Sequence, residues 1–378
     1  MIQNIILVAG ARPNFVKIAP VLRAIHIRNL FHPILVHTGQ HYDEKMSLSF
    51  FRDFNIQEPD YHLGAGPGTH AQQTATIMVQ FEEVCIKEQP DLVIVFGDVN
   101  STIAAGLVAK KLGLELAHVE AGLRSGDRSM PEEINRLATD AISDIFFTTE
   151  EEANRNLLAE GHSIETIHFV GHVMIDTLLY EMSKLDNAPV SPLVSHLRSI
   201  APNKYACLTL HRPANVDKKE TLEPLVDALE QIGTQIPVLF PCHPRTYIQL
   251  EKYNLGKRFN TVSSSMSKLP PGIYLIEPLS YRDFLFLWKD ATLLITDSGG
   301  LQEETTALGI PCITLRENTE RPITVTAGSN EIAGSDPIKI LALTQKALSG
   351  QWKKSRVPPL WDGKSSERIL KVLEALAR

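Results

Sequence analysis

This chain has few cysteines, no excess of basic residues and no long apolar stretch. The formal net charge of −7 argues against nonspecific binding to nucleic acid. Nothing reaches the length of a membrane span, and the N-terminal residues lack the basic region of a signal peptide. The cysteines show no CxxC spacing, which favours reduced core thiols of a cytoplasmic protein over a disulfide framework or a metal site. They are Cys85, Cys207, Cys242 and Cys312.

What the chain does contain is an alternation of apolar segments of strand length with longer amphipathic segments. Hydrophobic residues make up 43% of the 378 residues and charged residues 21%, which is typical of soluble globular enzymes. The alternation predicts an α/β fold with parallel sheets covered on both faces. The predicted strands are 4–9, 33–37, 92–96, 115–119, 145–148, 166–169, 205–210, 237–240, 273–276, 292–296 and 311–315.

The length suits two domains, and the rhythm of strands and helices breaks once. Residues 186–204 contain three prolines and are interpreted as a linker. The first domain is then 1–185 and the second 205–364, two doubly wound domains facing each other across a central cleft. Residues 365–378 form a last amphipathic helix, a candidate to pack back on the first domain. Ligands of such sheets collect at the carboxyl ends of the strands.

The first strand leads into a turn that carries two cations. Residues 10–17 read Gly-Ala-Arg-Pro-Asn-Phe-Val-Lys, which is not the G-x-G-x-x-G pattern of a dinucleotide site. Pro13 suits the first position of a helix, so Arg12 lies at the strand tip and Lys17 about one turn inside. Arg12 suits bidentate binding of phosphate and Lys17 acts as a point charge. The alternative is that both are ordinary surface residues.

Three acids follow strand or helix ends within about forty residues. Asp98 follows the strand 92–96, and the alternative for it is a helix N-cap. Glu120 follows the strand 115–119 among apolar and small residues, which predicts partial desolvation and a raised pKa, as a general base needs. Glu132 opens a helix, and the alternative is a salt bridge with Arg136 four residues later.

In the second domain, a strand runs into Asp297-Ser298-Gly299-Gly300 and then into a helix. The first N–H groups of a helix lack partners and its N-terminus is electropositive, so a phosphate can bind there. Glu304 lies about one turn in, where it can accept hydrogen bonds from a ribose diol. The alternative is an ordinary helix capped by Ser298 or Asp297. His211 and Arg212 at one strand exit, His243 at another and Arg321 after the glycine turn are further candidates for binding an anionic ligand.

Taken together, these segments resemble the non-hydrolysing UDP-N-acetylglucosamine 2-epimerases. The resemblance runs from Gly10 to about Gly334, and it departs from the family pattern at Asn14 and at Pro213-Ala214, where the family often has glutamate. The segments that carry it are 10–17, 38–41, 97–102, 118–124, 130–136, 210–212, 297–304 and 320–328.

The resemblance implies two Rossmann-like domains of the glycosyltransferase-B type, a homodimer, and neither metal nor nicotinamide. The residues that would hold the UDP portion are Arg12, His211, Ser298, Gly299, Gly300, Glu304 and Arg321. Those that would surround the sugar are Lys17, Asp98, Glu120, Glu132 and Arg136; the catalytic set is then these five with His211. A second UDP-N-acetylglucosamine, as activator, would contact Gln40, Arg212 and His243.

The implied reaction is reversible inversion at C2 of UDP-N-acetylglucosamine, by elimination of UDP to 2-acetamidoglucal and re-addition. Sequence alone does not assign which acid serves which face of C2. Four alternatives stay open: a hydrolysing epimerase that releases N-acetylmannosamine and UDP, an epimerase of a 2,3-diacetamido uronic acid nucleotide, a glycosyltransferase, and a catalytically silent UDP-sugar sensor.

Overall fold

The computed structural model describes residues 2–10, 12–40, 54, 56–185, 190–201 and 204–377. The chain divides into two compact units. The first unit comprises Met1–Tyr180 together with Pro359–Arg378, and the second comprises Glu181–Pro358. Each unit is built on its own parallel sheet.

The sheet of the first unit has seven strands in the order β3-β2-β1-β4-β5-β6-β7, and all of them are parallel. After β1, the chain adds β2 and β3 on one side of it and then β4 on the other side. The point where the order reverses, between β1 and β4, is where α/β sheets bind their ligands. The strands are β1 (Asn4–Ala9), β2 (His32–His37), β3 (Tyr61–His62), β4 (Leu92–Phe96), β5 (Glu115–Val119), β6 (Ile145–Thr148) and β7 (Ile167–Phe169).

Helices cover both faces of this sheet. Alternate residues of β1 point to opposite faces, so Ile5 and Leu7 belong to one apolar core and Ile6 and Val8 to the other. The helices are α1 (Arg12–Arg28), α2 (His70–Glu88), α3 (Asn100–Lys111), α4 (Pro131–Ile142), α5 (Glu151–Ala159) and α6 (Val173–Lys184), with a 3₁₀ turn at Ile164–Thr166.

The last helix of the chain, α15 (Ser365–Leu376), belongs to the first unit. Its Ile369, Leu370 and Leu373 are buried in the core that also contains residues of α1. Asp176 of α6 caps it from outside: the carboxylate accepts the N–H groups of Ser365 and Ser366 at 3.0 and 2.7 Å and the Ser366 hydroxyl at 2.7 Å. The unit boundary therefore lies six residues before the predicted one at 365, since Pro359 already counts with the first unit.

The sheet of the second unit follows the same plan in the order β10-β11-β9-β8-β12-β13-β14, again parallel throughout. Its order reverses between β8 and β12, so the ligand rule points to the residues after those two strands. The strands are β8 (Ala206–Thr209), β9 (Pro237–Pro241), β10 (Asn260–Thr261), β11 (Gly272–Ile276), β12 (Leu293–Thr296), β13 (Cys312–Thr314) and β14 (Asn330–Ile332).

The predicted linker 186–204 contains a helix, α7, so the linker prediction is wrong for that part. Ser191 caps this helix and Pro192 stands at its first position, where a proline is favourable. Val194, Leu197 and Ile200 are buried, so their three-residue spacing marks an amphipathic helix. The helices of this unit are α7 (Pro192–Ile200), α8 (Pro213–Val216), α9 (Lys219–Gly233), α10 (Pro244–Lys252), α11 (Tyr281–Trp288), α12 (Gly299–Leu308), α13 (Pro322–Thr326) and α14 (Pro337–Leu348), with a 3₁₀ turn at Gly256–Arg258.

All four cysteines are free and buried, as the apolar surroundings predict. Within the described part of the chain, none of the helices combines the length and apolar character that a membrane span needs.

We predict that Asp176→Ala lowers the free energy of unfolding by about 2–4 kcal/mol, because it leaves buried donors at the start of α15 without an acceptor. Urea unfolding measures this loss. The control is Asp362→Ala, which removes an exposed ion pair with Arg368 in the same segment and should cost less than about 1 kcal/mol. Equal losses in the two variants would contradict the capping role of Asp176.

Candidate active site

The turn after β1 is fixed by Asn14. Its side-chain oxygen accepts the N–H of Gly10 at 3.2 Å, and its amide nitrogen donates to the carbonyl of Phe96 at 3.0 Å. Asn14 therefore ties the exit of β1 to the exit of β4. A Cβ on Gly10 would lie 2.4 Å from the hydroxyl oxygen of Ser101, so only glycine fits. The backbone of Arg12 begins α1, and its side chain lies outside the described part of the structure.

Glu120 and Lys17 form the central ion pair of the first unit. Lys17 Nζ lies 2.5 Å from Glu120 Oε2, and the Glu120 side chain is 3% exposed. Glu120 has a backbone φ of +73°. Residues other than glycine seldom adopt this conformation, which costs on the order of 1 kcal/mol or more. Such strain is found mostly at functional sites, where the surrounding structure enforces it. The predicted desolvation of Glu120 is confirmed.

Asp98 lies beside this pair. The preceding residue, Gly97, has a φ of +66°, and a Cβ there would lie 3.0 Å from Lys17 Nζ and 3.7 Å from Glu120 Oε2. Glycine thus lets the backbone before Asp98 approach the Lys17–Glu120 pair. The N-cap alternative for Asp98 is wrong, because α3 takes Val99 as its N-cap residue. The Asp98 carboxylate instead accepts a hydrogen bond from Arg136 at 2.6 Å.

Arg136 also pairs with an acid of its own helix, and this acid is Glu133, not the predicted Glu132. Its guanidinium donates to Glu133 at 2.7 Å, so among the described residues the salt bridge on this helix uses Glu133 rather than Glu132. Burial would raise the pKa of Glu133, but the N–H groups of Ser125 and Gly126 and the Arg136 guanidinium outweigh it and hold that pKa below its usual value. Glu132 is half-buried at the same helix start.

Sequence reasoning missed Glu133 as a functional residue, although its position three residues before Arg136 gives the same pairing geometry as a spacing of four. It also missed His172, whose ring nitrogen Nδ1 lies 3.8 Å from the other carboxylate oxygen of Glu120. His172 lies three residues after β7, so its position after a strand is the signal that could have marked it. His118 opens the segment 118–124 of the resemblance, which implies no role for it; it is buried, with a ring nitrogen 2.6 Å from Asp140.

In the second unit, Asp297 is fully buried at the end of β12. One carboxylate oxygen accepts the backbone N–H groups of His211 and Arg212, at 2.8 and 2.7 Å, and the Asn215 amide at 3.2 Å. Burial would raise the pKa of Asp297, but the His211 side chain and the backbone N–H groups of Arg212 and His211 outweigh it and hold that pKa below its usual value. Of the two residues named in the cap alternative, Ser298 takes the N-cap position of α12, without a side-chain cap hydrogen bond, and Asp297 instead shapes the turn after β8.

His211 is oriented by the same carboxylate. Its Nδ1 lies 2.9 Å from Asp297 Oδ1, while 38% of its side chain is exposed. A hydrogen on Nδ1 directed at Asp297 leaves Nε2 as the nitrogen that meets a ligand. The ring also lies near that of His243, with centroids 5.8 Å apart. His211, Asp297 and the start of α12 therefore meet at the point where the sheet order reverses.

The turn into α12 is narrow at Gly299. A Cβ on Gly299 would lie 2.9 Å from Glu320 Oε1, and Arg316 pairs with the same acid at 2.9 Å. Arg321, predicted to bind the ligand, is buried, and its guanidinium pairs with Glu303 of α12. The N–H groups of Gly299 and Gly300 stand at the start of α12, whereas the N–H of the N-cap residue Ser298 donates to the Thr296 hydroxyl at 2.9 Å. A helix start of this kind suits an anion.

Glu304 lies one turn into α12 and is buried. Burial raises its pKa to about 8, although the Tyr281 hydroxyl, which donates to the carboxylate at 2.7 Å, favours the charged form; the nearby charge of Glu303 raises the pKa further. Tyr281 supplies a hydroxyl but no charge, so it offsets only part of the desolvation.

The three predicted effector residues are spread over both units. Gln40 is buried and its side-chain oxygen accepts the N–H and hydroxyl of Ser101 at 3.2 and 2.8 Å. Arg212 follows His211 and is half-buried, and His243 is exposed at the start of α10, where its Nδ1 accepts the N–H of Arg245 at 3.1 Å. Within the described ranges, no group of three His, Cys, Asp or Glu side chains is arranged to hold a metal ion.

Comparison with known proteins gives consistent matches over the whole chain. The family model described as UDP-N-acetylglucosamine 2-epimerase matches residues 23–374. A UDP-N-acetylglucosamine 2-epimerase of Methanococcus maripaludis is 41% identical over 97% of both chains. A UDP-2,3-diacetamido-2,3-dideoxy-D-glucuronate 2-epimerase of Pseudomonas aeruginosa is 36% identical over 99% of this chain and 100% of its own.

Solved structures agree with these matches. The UDP-GlcNAc 2-epimerase of Methanocaldococcus jannaschii, solved in complex with UDP-GlcNAc and UDP, superposes with a TM-score of 0.85 at 40% identity, covering 99% of this chain and 100% of that one. MurG of Acinetobacter baumannii, at 11% identity and a TM-score of 0.55 over 99% and 100% of the chains, shares the fold alone. The predicted two-domain α/β fold of glycosyltransferase-B type is confirmed.

The raised pKa of Glu304 makes a prediction about stability. An acid whose pKa rises from 4.5 to about 8 on folding binds more protons in the folded than in the unfolded state between those values. Stability therefore falls as the pH rises through that window, by up to about 1.4 kcal/mol per unit. Glu304→Gln removes this loss, so its Tm relative to the parent protein should increase from pH 5.5 to pH 8.5.

The control for this prediction is Glu220→Gln, which changes an exposed glutamate of α9 in the same unit. Its Tm relative to the parent should be the same at both pH values. A constant difference for Glu304→Gln as well would mean that Glu304 is ionised throughout.

Proposed function

The chain belongs to the family of UDP-N-acetylglucosamine 2-epimerases, and on this premise we propose that it interconverts UDP-N-acetylglucosamine and UDP-N-acetylmannosamine without net hydrolysis. The observation that carries the proposal is the pair of buried or half-buried acids at neighbouring strand ends, Glu120 held by Lys17 and Asp98 held by Arg136. Acids fixed at one edge of a sheet suit proton transfer at one carbon of a sugar.

Inversion at C2 requires an indirect route, because the C2 hydrogen is not next to a carbonyl group and has little acidity. Cleavage of the anomeric C1–O bond solves this problem. As the electron pair of that bond leaves with the diphosphate, C1 gains oxocarbenium character and the C2 hydrogen becomes acidic. A carboxylate takes the proton, the C–H electrons form the C1–C2 double bond, and the products are 2-acetamidoglucal and UDP. Protonation of C2 from the opposite face and attack of the diphosphate oxygen on C1 give the epimer.

In the first unit, we assign the proton transfers to Asp98, Glu120 and Glu132. Two faces of C2 need two acid–base groups, which accounts for a cluster of acids better than a single base does. Lys17 pairs with Glu120 at 2.5 Å and Arg136 with Asp98 at 2.6 Å, and each cation fixes the direction of its carboxylate. Each general acid–base step of this kind contributes about 10²–10⁴-fold.

In the second unit, we assign the binding of UDP to the start of α12 and the residues around it. The N–H groups at Gly299 and Gly300 and the hydroxyl of Ser298 suit a diphosphate, and His211, oriented by Asp297, presents its Nε2 to the ligand. Preorganised donors of this kind stabilise the leaving group as its charge develops. Glu304 would accept hydrogen bonds from the ribose diol, and Arg321 remains a candidate cation for this site. Arg12, in the first unit, stays a UDP-binding candidate from the resemblance. The M. jannaschii structure, solved with UDP-GlcNAc and UDP, supports a UDP-sugar as the ligand.

A second candidate is epimerisation of a 2,3-diacetamido uronic acid nucleotide. It is favoured by the P. aeruginosa relative, which is named for that substrate and is 36% identical over nearly all of both chains. The higher identity to the M. maripaludis enzyme favours UDP-N-acetylglucosamine. The homodimer, the cytoplasmic location and a second UDP-sugar at Gln40, Arg212 and His243 stay predictions from the resemblance.

We predict that, in D₂O, the purified protein converts UDP-N-acetylglucosamine to UDP-N-acetylmannosamine with deuterium at C2, because the proton taken from one face returns from solvent on the other. NMR follows configuration and label together. Free N-acetylmannosamine with an equal amount of UDP would assign the hydrolysing reaction. Turnover of the diacetamido uronic acid nucleotide alone would assign the second candidate, and no turnover of either would indicate a silent sensor.

We further predict that Asp98→Asn, Glu120→Gln and Glu132→Gln each lower kcat by about 10²-fold or more. The control is Glu115→Gln, which changes an exposed acid at the opposite end of β5 and should keep full activity. A variant of the first three with parental kcat would remove its residue from the mechanism. Circular dichroism and Tm verify that each variant is folded.

A further inference from the structure

Beneath the acids of the first unit lies a buried pair, His118 and Asp140, both with 0% of the side chain exposed. His118 Nδ1 lies 2.6 Å from Asp140 Oδ1, and His118 Nε2 lies 2.8 Å from the carbonyl oxygen of Gly97. The second Asp140 oxygen accepts the N–H of Gly122 at 2.9 Å and pairs with Arg124 at 2.8 Å.

These four contacts join every segment that carries a proposed acid. His118 lies in β5, two residues before Glu120, and Gly122 lies two residues after it. Gly97 directly precedes Asp98. Asp140 lies on α4, one helical turn after Arg136, and the first turn of the same helix contains Glu132. The pair therefore connects the turn after β4, the end of β5 and helix α4 by hydrogen bonds.

We propose that His118 and Asp140 are positioning residues for the acids: the pair sets the separation and direction of Asp98, Glu120 and Glu132 without touching the substrate. This proposal rests on the proposed function of the same site. Errors of about 1 Å in the placement of a catalytic group cost about 10²-fold in rate, so a rigid buried link between three segments has a large effect on kcat.

The hydrogen bonds also define where the protons are. A carbonyl oxygen only accepts, so Nε2 carries the hydrogen directed at Gly97. Burial opposes the charge on Asp140, but His118, Arg124 and the Gly122 N–H outweigh it and hold the pKa of Asp140 below its usual value. The contact of 2.6 Å between His118 Nδ1 and Asp140 Oδ1 requires a hydrogen between the two atoms, so the two side chains share one. Buried charged pairs contribute little to net stability compared with apolar residues of the same volume. Stability alone therefore does not account for the His118–Asp140 pair, whereas a positioning role does.

Three substitutions separate the two links. An asparagine amide nitrogen reaches the place of Nδ1, so His118→Asn keeps the bond to Asp140 and loses the bond to Gly97. A glutamine amide nitrogen reaches the place of Nε2, so His118→Gln keeps the bond to Gly97. Asp140→Asn lets a neutral His118 accept at Nδ1 and still donate to Gly97.

We expect His118→Asn to lower kcat by about tenfold to 10²-fold while KM changes less than about twofold, because the nucleotide-binding residues are in the other unit. His118→Gln and Asp140→Asn should recover most of that loss. The control is Asp144→Asn. Asp144 accepts the N–H of Leu116 at 2.8 Å and pairs with Lys110, so it anchors the opposite end of β5 and should lower Tm without a matching loss of kcat.

A second measurement tests the link without any substrate. Amide hydrogen exchange in residues 97–102 and 120–126 should accelerate in His118→Asn and stay at the parental rate in Asp144→Asn. If exchange accelerates but the parent protein turns over neither UDP-sugar, the link stands and the proposed function fails. The positioning proposal is overturned if His118→Asn keeps parental kcat and exchange, or if its loss of kcat equals that of Asp144→Asn at the same loss of Tm.

Discussion

The rest of this structure depends on one constraint of parallel sheets. All strands of a sheet end at the same edge, and the strand order reverses next to the first strand of each unit. In both units the reversal leaves a gap between two crossovers, and the chain must leave each strand there through a short turn. Side chains in those turns are drawn together although they lie far apart in sequence. Lys17 follows β1 and Glu120 follows β5, 103 residues later, yet their charged atoms are in contact. The close approach of Gly97 and the left-handed backbone of Glu120 are local consequences of fitting three turns into that gap.

Both units bury a glutamate at the proposed site, but the charges of the groups around the two glutamates differ. Glu120 is buried beside a lysine, so its charge is compensated where it lies. Glu304 is buried beside a hydroxyl and a second acid, so its pKa rises to about 8. A carboxylate that takes up and returns a proton at a carbon needs a fixed direction, which an ion pair with lysine provides. A carboxyl group that meets neutral hydroxyls needs only acceptor oxygens, and a tyrosine leaves those available. The difference between the partners thus matches the difference between the proposed roles.

Much of this arrangement is predictable from the sequence, for a definite reason. The strands 4–9, 92–96, 115–119 and 145–148 match the structure because their apolar runs are bounded by turn residues, and the residues after them fall at one edge by the geometry of parallel sheets. The sequence does not reveal which charged side chains form ion pairs with one another. Arg136 chooses Glu133 and Asp98 over Glu132, a difference of about 100° around one helix. Asp140 and His118 meet only because α4 packs against β5. Helix α7 was missed because its proline and serine, which start the helix, also suit a linker.

Buried polar groups in the first unit form a chain that no single pair explains. Asn14 joins β1 to β4, His118 joins β4 to β5, and Asp140 joins β5 to α4. Each of these side chains has a partner at both ends, so none incurs the penalty of an unsatisfied buried group. An apolar core would hold the same strands together with similar free energy, but side chains in such a core can repack without a large penalty. Hydrogen bonds of fixed length and direction cannot, because a shift of one strand end breaks the bonds at the next. The polar chain therefore restricts the strand ends to one arrangement, which is what the proposed proton transfer at the two faces of one carbon would require.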